Sequence, residues 1–277
     1  MRELIRLAIK EDLGSGDVTT NCLVPNDLRS EAAIIAKEKG VIAGFEAAKE
    51  VFRQINPRVK FSPRKKDGAA VKRGDVIAII KGPARAVLSG ERLALNFMQR
   101  LSGVATMSAS FAAAVKGTGA KILDTRKTTP LWRALEKKAV KAGGCFNHRS
   151  GLFDAVLIKD NHLCVEKDIA RAIKKAKRFG RVEIEVKDLE ELKKAAVSGA
   201  DIILLDNMSL KMLRKCVGAA RAIEKKLSKK ILLEASGGIT LKNARAVAKT
   251  GVDYISVGAL THSPKALDLS LQIVKCR

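Results

Sequence analysis

Asp201-Ile-Ile-Leu-Leu-Asp206 is a short apolar run that closes on a carboxylate, and five other segments share its plan. They are Ile122-Leu-Asp-Thr-Arg-Lys127, Ala155-Val-Leu-Ile-Lys159, Val182-Glu-Ile-Glu185, Ile231-Leu-Leu-Glu-Ala-Ser-Gly-Gly238 and Tyr254-Ile-Ser-Val-Gly258. Each reads as a buried strand with a polar or glycine-bearing end. Helical patterns separate most of them. This alternation predicts a β/α barrel, in which functional side chains collect at the C-terminal ends of the strands. A seventh strand, with a weaker pattern, is expected near Cys145–His148.

Outside these strands the punctuation is clear. Thr129-Pro130 is expected to open a helix that Gly143-Gly144 ends. Capped helices are also expected over Asp188–Gly199, Thr240–Gly251 and Pro264–Lys275. The first hundred or so residues differ. Met1–Leu13 and Phe45–Arg53 read as helices, and Ala32–Lys37 and Val41–Ala43 as strands. Short strands with tight turns follow between Asp67 and Gly82, the pattern of an α+β sandwich. Leu88–Leu101 reads as a helix, Ser102-Gly103 as a break, and Ala105–Val115 as a second helix leading into the barrel.

Composition narrows the function. The chain has 277 residues, 47% of them hydrophobic but only 4% aromatic, so the core is aliphatic. Lys and Arg number 53 against 29 Asp and Glu, a net charge of +24. Such charge suggests nucleic acid, yet it is spread along the whole chain, and one Trp and one Tyr offer little for base stacking. A lysine-rich surface and a basic funnel for an anionic substrate account for it better. The five cysteines form no C-x-x-C pair and read as reduced thiols of a cytoplasmic protein. The charged, amphipathic start is not expected to be a signal peptide, and no apolar run approaches the roughly 20 residues of a membrane helix.

The strand ends carry the chemistry. Ser236-Gly-Gly-Ile-Thr240 and Val257-Gly258-Ala259 both follow strands, where backbone N–H groups can approach a phosphate. Either turn alone is ordinary; two in succession after the last two strands match the phosphate site of phosphate-binding barrels. Arg126, Lys127, His148, Arg149 and Lys159 form a set of cations. Lys159 follows an apolar strand directly, so it reads either as an electrostatic clamp or, if desolvated, as a Schiff-base nucleophile. All three histidines, His148, His162 and His262, fall on loops beside the strands. Glu185 and Asp206 end apolar strands, with Glu183 on the same side of its strand as Glu185. Buried carboxylates need partners, and with phosphates nearby Mg²⁺ is the economical one. Salt bridges to Lys127 or Lys159 are the scaffold alternative. Zinc has no ligand spacing here.

Several longer motifs resemble one enzyme family. They are Glu11–Thr20, Glu91–Thr106, Asp124–Pro130, Gly143–Arg149, Val156–His162, Leu204–Met208 and Glu234–Thr240. Together they are similar to quinolinate phosphoribosyltransferase, the carboxylating nicotinate-nucleotide pyrophosphorylase, over about Glu11 to Ser263. The resemblance implies an α/β protein: an N-terminal α+β open sandwich over residues 1–103 and an incomplete, seven-stranded α/β barrel over 104–263. It implies a C-terminal helix, 264–277, that returns to the first domain. It further implies transfer of phosphoribosyl from phosphoribosyl pyrophosphate to quinolinate, with loss of CO₂, in NAD synthesis.

Carried over motif by motif, Arg126, His148, Arg149 and Lys159 are expected to hold quinolinate, with Arg92 supplied by a second copy in a dimer or hexamer. Lys127 is expected on the pyrophosphate side, and Glu185 and Asp206 at the ribose and Mg²⁺. Ser236, Gly237, Gly238, Val257 and Gly258 are expected at the 5′-phosphate, with His262 lining that site. Lys127, Lys159, Glu185 and Asp206 would be catalytic. No organic cofactor, membrane or nucleic acid is implied. A paralogous transferase acting on another base, a Schiff-base lyase and a basic nucleic-acid-binding protein are the competing readings.

Overall fold

The computed structural model describes all residues, Met1–Arg277. The chain opens with α1 (Arg2–Leu13), α2 (Val18–Leu23), β1 (Arg29–Ala36), β2 (Gly40–Val41) and α3 (Phe45–Ile55). Then come β3 (Lys60–Pro63), β4 (Ala70–Val71), β5 (Val76–Pro83) and the long helix α4 (Ala84–Ala114). Next are β6 (Lys121–Leu123), α5 (Arg133–Ala142), β7 (Val156–Ile158), α6 (Asp160–Val165), α7 (Ile169–Ala176) and β8 (Val182–Val186). They continue as α8 (Leu189–Val197), β9 (Ile202–Asp206), α9 (Leu210–Leu227), β10 (Leu232–Ser236), α10 (Ala244–Ala248), β11 (Tyr254–Ser256), α11 (Ala259–His262) and β12 (Leu269–Cys276).

Two compact units result. The first comprises Met1–Ala109, Thr129–Gly144 and Leu260–Arg277; the second comprises Ser110–Thr128 and Cys145–Ala259. The 103/104 boundary expected from sequence falls inside α4.

In the first unit, an antiparallel sheet runs β12-β1-β5-β3. β1 is central, with Ile34 facing Ala78 on one side and Leu271 on the other. The amphipathic α3 buries Phe45, Ala47, Ala48, Val51 and Phe52. Phe61 of β3 meets both phenyl rings, with centroids 6.3 Å from Phe45 and 6.1 Å from Phe52. Rings at such separations add packing specificity to the burial of aliphatic core residues such as Ile34, Ile77 and Ile80.

Three expectations fail in this unit. Residues 264–277 do not form a helix: Leu269–Cys276 is strand β12, which pairs with β1. Leu267, Leu269 and Leu271 are all buried, and their period of two is that of a strand. The break at Ser102-Gly103 is also absent, because α4 is continuous. Gly103 serves close approach there: a Cβ on it would lie 2.1 Å from the Lys265 carbonyl oxygen. The Ser102 hydroxyl, meanwhile, contacts the backbone N–H and carbonyl of Ala43. Thr129 does not cap α5, which starts only at Arg133 after a left-handed Leu131 (φ 66°). The Thr129 hydroxyl and N–H instead both donate to the buried Glu136 carboxylate.

The second unit holds a six-stranded parallel sheet in the order β6-β11-β10-β9-β8-β7. The expected seventh strand is reduced to one bridge, between Leu123 and Phe146. β7 has no strand on its outer side, so the barrel is open there. Asp188 caps α8 through the Glu191 N–H, as its position before an apolar run suggests. The helix expected over Thr240–Gly251 is only α10, Ala244–Ala248. Asn243 folds back on the preceding turn, accepting from Thr240 N and donating to the Gly238 carbonyl, which keeps that turn non-helical.

Candidate active site

The parallel order brings the C-terminal ends of β6 to β11 to one rim. Strands β7, β8 and β9 are neighbours, and they end on Lys159, Glu185 and Asp206. Lys159 Nζ lies 4.0 Å from Glu185 Oε2. Burial pushes the Glu185 carboxyl above its ordinary value, and the Asp206 charge adds to this while Lys159 opposes it. Two carboxylates that repel in a half-buried setting are a suitable oxygen donor set for Mg²⁺, whose charge would relieve both effects.

Beyond β9, Asp206 is in register with Ser236 of β10. Asn207 turns left-handed (φ 51°), donates its side-chain amide to Asp206 Oδ2, and gives its backbone N–H to the Ser236 carbonyl. Gly237 and Gly238 follow with φ of 91° and 60°. A Cβ on Gly237 would sit 2.1 Å from Asn207 Oδ1, whereas Gly238 has open space around the equivalent position. Only glycine fits the first place, and the second leaves backbone accessible to a ligand. Val257 is buried and donates its N–H to Leu123, so only backbone and Gly258 are available at that turn.

The cations come from the opposite end of the sheet. Arg126 follows β6, and the Phe146 bridge lays His148 and Arg149 beside it. Arg149 feels the Arg126 charge, and burial followed by that repulsion lowers its pKa from the usual guanidinium value. Arg149 Nη1 is anchored on the Ala155 carbonyl at 2.8 Å. The Arg126 Nε is buried and meets no hydrogen-bond acceptor in the protein. Two adjacent guanidinium groups with an unsatisfied buried donor form a site for a planar anion.

Below this rim lies a buried polar cluster. Glu183 of β8 and Glu234 of β10 are 5% and 1% exposed. His148 Nε2 is 3.0 Å from Glu183 Oε2 and 3.7 Å from Glu234 Oε1. The Ser256 hydroxyl donates to Glu234 Oε1. Burial pushes the Glu234 carboxyl far above its ordinary value, with the Glu183 charge adding to the rise. The ligand atoms of His148, Glu183 and Glu234 lie within 4.8 Å of one another, a spacing a small cation could span. Hydrogen bonds account for the cluster without one.

Both domains of one family match in succession along the chain. "Quinolinate phosphoribosyl transferase, N-terminal domain" matches residues 17–102, and "Quinolinate phosphoribosyl transferase, C-terminal domain" matches residues 104–272. The chain belongs to the quinolinate phosphoribosyltransferase family. It is 43% identical to the probable nicotinate-nucleotide pyrophosphorylase (carboxylating) of Bacillus subtilis, over 99% of this chain and 93% of that one. It is 42% identical to the nicotinate-nucleotide pyrophosphorylase (carboxylating) of Mycobacterium leprae, over 98% and 96% of the two chains. Among solved structures, the nicotinate-nucleotide pyrophosphorylase of Francisella tularensis superposes with a TM-score of 0.90 at 41% identity, covering 98% of this chain and 95% of that one.

Within this family member, the second unit gathers Arg126, Lys127, His148, Arg149, Lys159, Glu185, Asp206, Ser236, Gly237, Gly238, Val257 and Gly258. Arg92, exposed on α4, and His262, the last residue of α11, belong to the first unit. His262 Nδ1 is paired with the Ser263 hydroxyl. Three participants escaped the sequence reading as site residues: Glu234, Asn207 and Asp124. Asp124, fully buried, accepts the His148 N–H at 2.8 Å. The signal for Glu234 was present, since a carboxylate inside Ile231-Leu-Leu-Glu-Ala235 must be buried.

Proposed function

We infer that this chain transfers phosphoribosyl from phosphoribosyl pyrophosphate to quinolinate, giving nicotinate mononucleotide, pyrophosphate and CO₂. The observation that carries the reading is the Arg126 Nε, a buried donor without an acceptor, set beside Arg149. Quinolinate carries two adjacent carboxylates, and planar guanidinium groups bind carboxylates through paired hydrogen bonds. Family membership and the relatives' names support the same reaction.

In this scheme Arg126, Arg149 and Lys159 orient quinolinate with its ring nitrogen toward the sugar. Arg92 of a second copy completes the pocket, so the working form is a dimer or larger oligomer. The glycine turn at Ser236–Gly238 and the turn at Val257-Gly258 receive the 5′-phosphate on backbone N–H groups other than that of Val257, which Leu123 takes. Glu185 and Asp206 face the ribose and would hold Mg²⁺, which supplies charge neutralisation for pyrophosphate when bound. Lys127 assists on the leaving-group side. As pyrophosphate departs, positive charge grows at the anomeric carbon, and a carboxylate on that face stabilises it. Glycosylation makes the ring nitrogen cationic. The bond to the adjacent carboxylate then breaks, its electron pair stays on the ring carbon beside that nitrogen, and a proton replaces CO₂.

The Schiff-base alternative finds no support. Lys159 is about half exposed and faces Glu185, unlike the desolvated amine that such chemistry requires. All five cysteines are free, in keeping with our placement of the enzyme in the cytoplasm. No helix is long and apolar enough to cross a membrane.

One assay tests the reading. Purified protein is given phosphoribosyl pyrophosphate and Mg²⁺ with either quinolinate or nicotinate, and pyrophosphate and CO₂ are followed. Release of both products with quinolinate only is the expected result. Turnover of nicotinate alone overturns it.

A further inference from the structure

The imidazole of His148 has both nitrogens committed within the protein. Nδ1 accepts the backbone N–H of Arg149 at 2.8 Å. An accepting nitrogen carries no proton, so the ring proton sits on Nε2 and points at Glu183, 3.0 Å away. Protonating Nδ1 would set two donors against each other and break the Arg149 contact. The ring is therefore neutral in this arrangement, and it offers no positive charge to a carboxylate ligand. The His148 backbone is fixed as well, because its N–H donates to the fully buried Asp124.

Behind Glu183 stands Glu234, held by Ser256 from β11. Two buried carboxylates this close repel, and burial followed by the Glu183 charge raises the Glu234 carboxyl. The cluster thus ties together β8, β10, β11 and the segment after the Phe146 bridge. That segment has one bridge to the sheet, where Phe146 is hydrogen-bonded through its backbone to Ile122 and Asp124, and no ladder continues beyond it. From His148 onward buried side chains position it.

We propose that Glu183 and Glu234 are positioning residues for Arg149, acting through the neutral His148 ring, and that His148 is not itself a charged ligand of the substrate. The proposal rests on the reading of Arg149 as a quinolinate-binding cation. The carboxylate pair, on this view, holds the backbone N–H of Arg149, and with it the guanidinium, at the site.

Two measurements test it. The first is steady-state kinetics of Glu183→Leu and Glu183→Gln. Glutamine keeps an oxygen to accept the Nε2 proton, and leucine does not. The leucine variant is expected to raise KM for quinolinate about tenfold, the effect of losing one charge-assisted hydrogen bond, with KM for phosphoribosyl pyrophosphate within about twofold. Glutamine should restore most of the loss. Equal rises in both KM values, or glutamine no better than leucine, overturn the proposal. The second uses the wild-type protein and so does not depend on the variants folding. Side-chain ¹⁵N NMR, with His148 assigned by its absence in His148→Gln, should show a neutral ring protonated at Nε2 with and without quinolinate. A doubly protonated His148 in the quinolinate complex overturns the proposal. If wild-type enzyme does not turn over quinolinate at all, the substrate reading has failed, and the ring state without ligand still decides the His148 geometry.

Discussion

The side chain of Asn207 occupies the space in which a side chain on Gly237 would begin. A Cβ there would be 2.1 Å from Asn207 Oδ1, and the φ of 91° already disfavours any L-residue. Gly237→Ala is therefore expected to distort the turn itself. Stability should fall by about 2 kcal/mol or more, and KM for phosphoribosyl pyrophosphate should rise at least about tenfold. Gly238→Ala has only its left-handed φ of 60° to contend with and should cost about 1 kcal/mol. Urea unfolding of the two variants side by side checks the order; equal losses would contradict it.

Arg126 and Lys159 should matter to rate as well as to binding. Removing a preorganised charge partner costs roughly 10²–10³-fold, and that is expected for kcat/KM of Lys159→Ala. Arg126→Lys keeps the charge but loses the planar fork, so it should recover little of the activity lost in Arg126→Ala. Near-normal turnover in Lys159→Ala, or full rescue by Arg126→Lys, would remove these residues from the roles assigned.

Gly103 gives a test of the continuous α4. In an exposed helix, Gly→Ala stabilises by up to about 1 kcal/mol. Here the added carbon would meet the Lys265 carbonyl at 2.1 Å, a backbone atom with nowhere to rotate. The clash outweighs propensity, and Gly103→Ala should lower Tm by several degrees. A higher Tm would mean that the 265 segment does not pack on this helix as described.

Glu50 supplies a pH dependence of stability. The Arg53 guanidinium grips its carboxylate through two 2.6 Å hydrogen bonds and, against the cost of burial, pulls its pKa down to about 2. A folded value below the unfolded one means that the stabilisation is present above the unfolded carboxylate pKa near ~4.3 and is lost as pH falls toward about 2. Arg53 is half exposed, so screening keeps the effect on the order of 1 kcal/mol. Denaturation midpoints of wild type and Glu50→Gln should differ at pH 6 and converge near pH 2; a constant gap would refute the linkage.

The strand ends were legible because each β-strand of the barrel is an apolar run with a polar terminus, a pattern that burial on both faces imposes. The segment at 267–273 was harder. Pro264 and Lys275 frame it like a helix, yet its leucines alternate, and β12 follows the alternation. Ser102-Gly103 misled for a different reason: a glycine needed for close approach looks the same in sequence as one needed for a turn. The His148–Glu183–Glu234 cluster was the least accessible. Its members lie on three separate segments, and only the strand order and register bring them together. The alternation of one strand puts Glu183 on the same side as Glu185, but nothing in one strand reveals what arrives from another.

Ser30 of β1 faces Cys276 of β12, so this antiparallel pair joins stretches made at widely separated moments of translation. While the ribosome is still producing the barrel, β1 can pair with β5 but must leave its other flank bare. The N-terminal unit is thus begun early and finished late, after the second unit has had time to fold. During that wait the uncovered edge is open to any extended segment nearby, including those of neighbouring nascent chains on the same message.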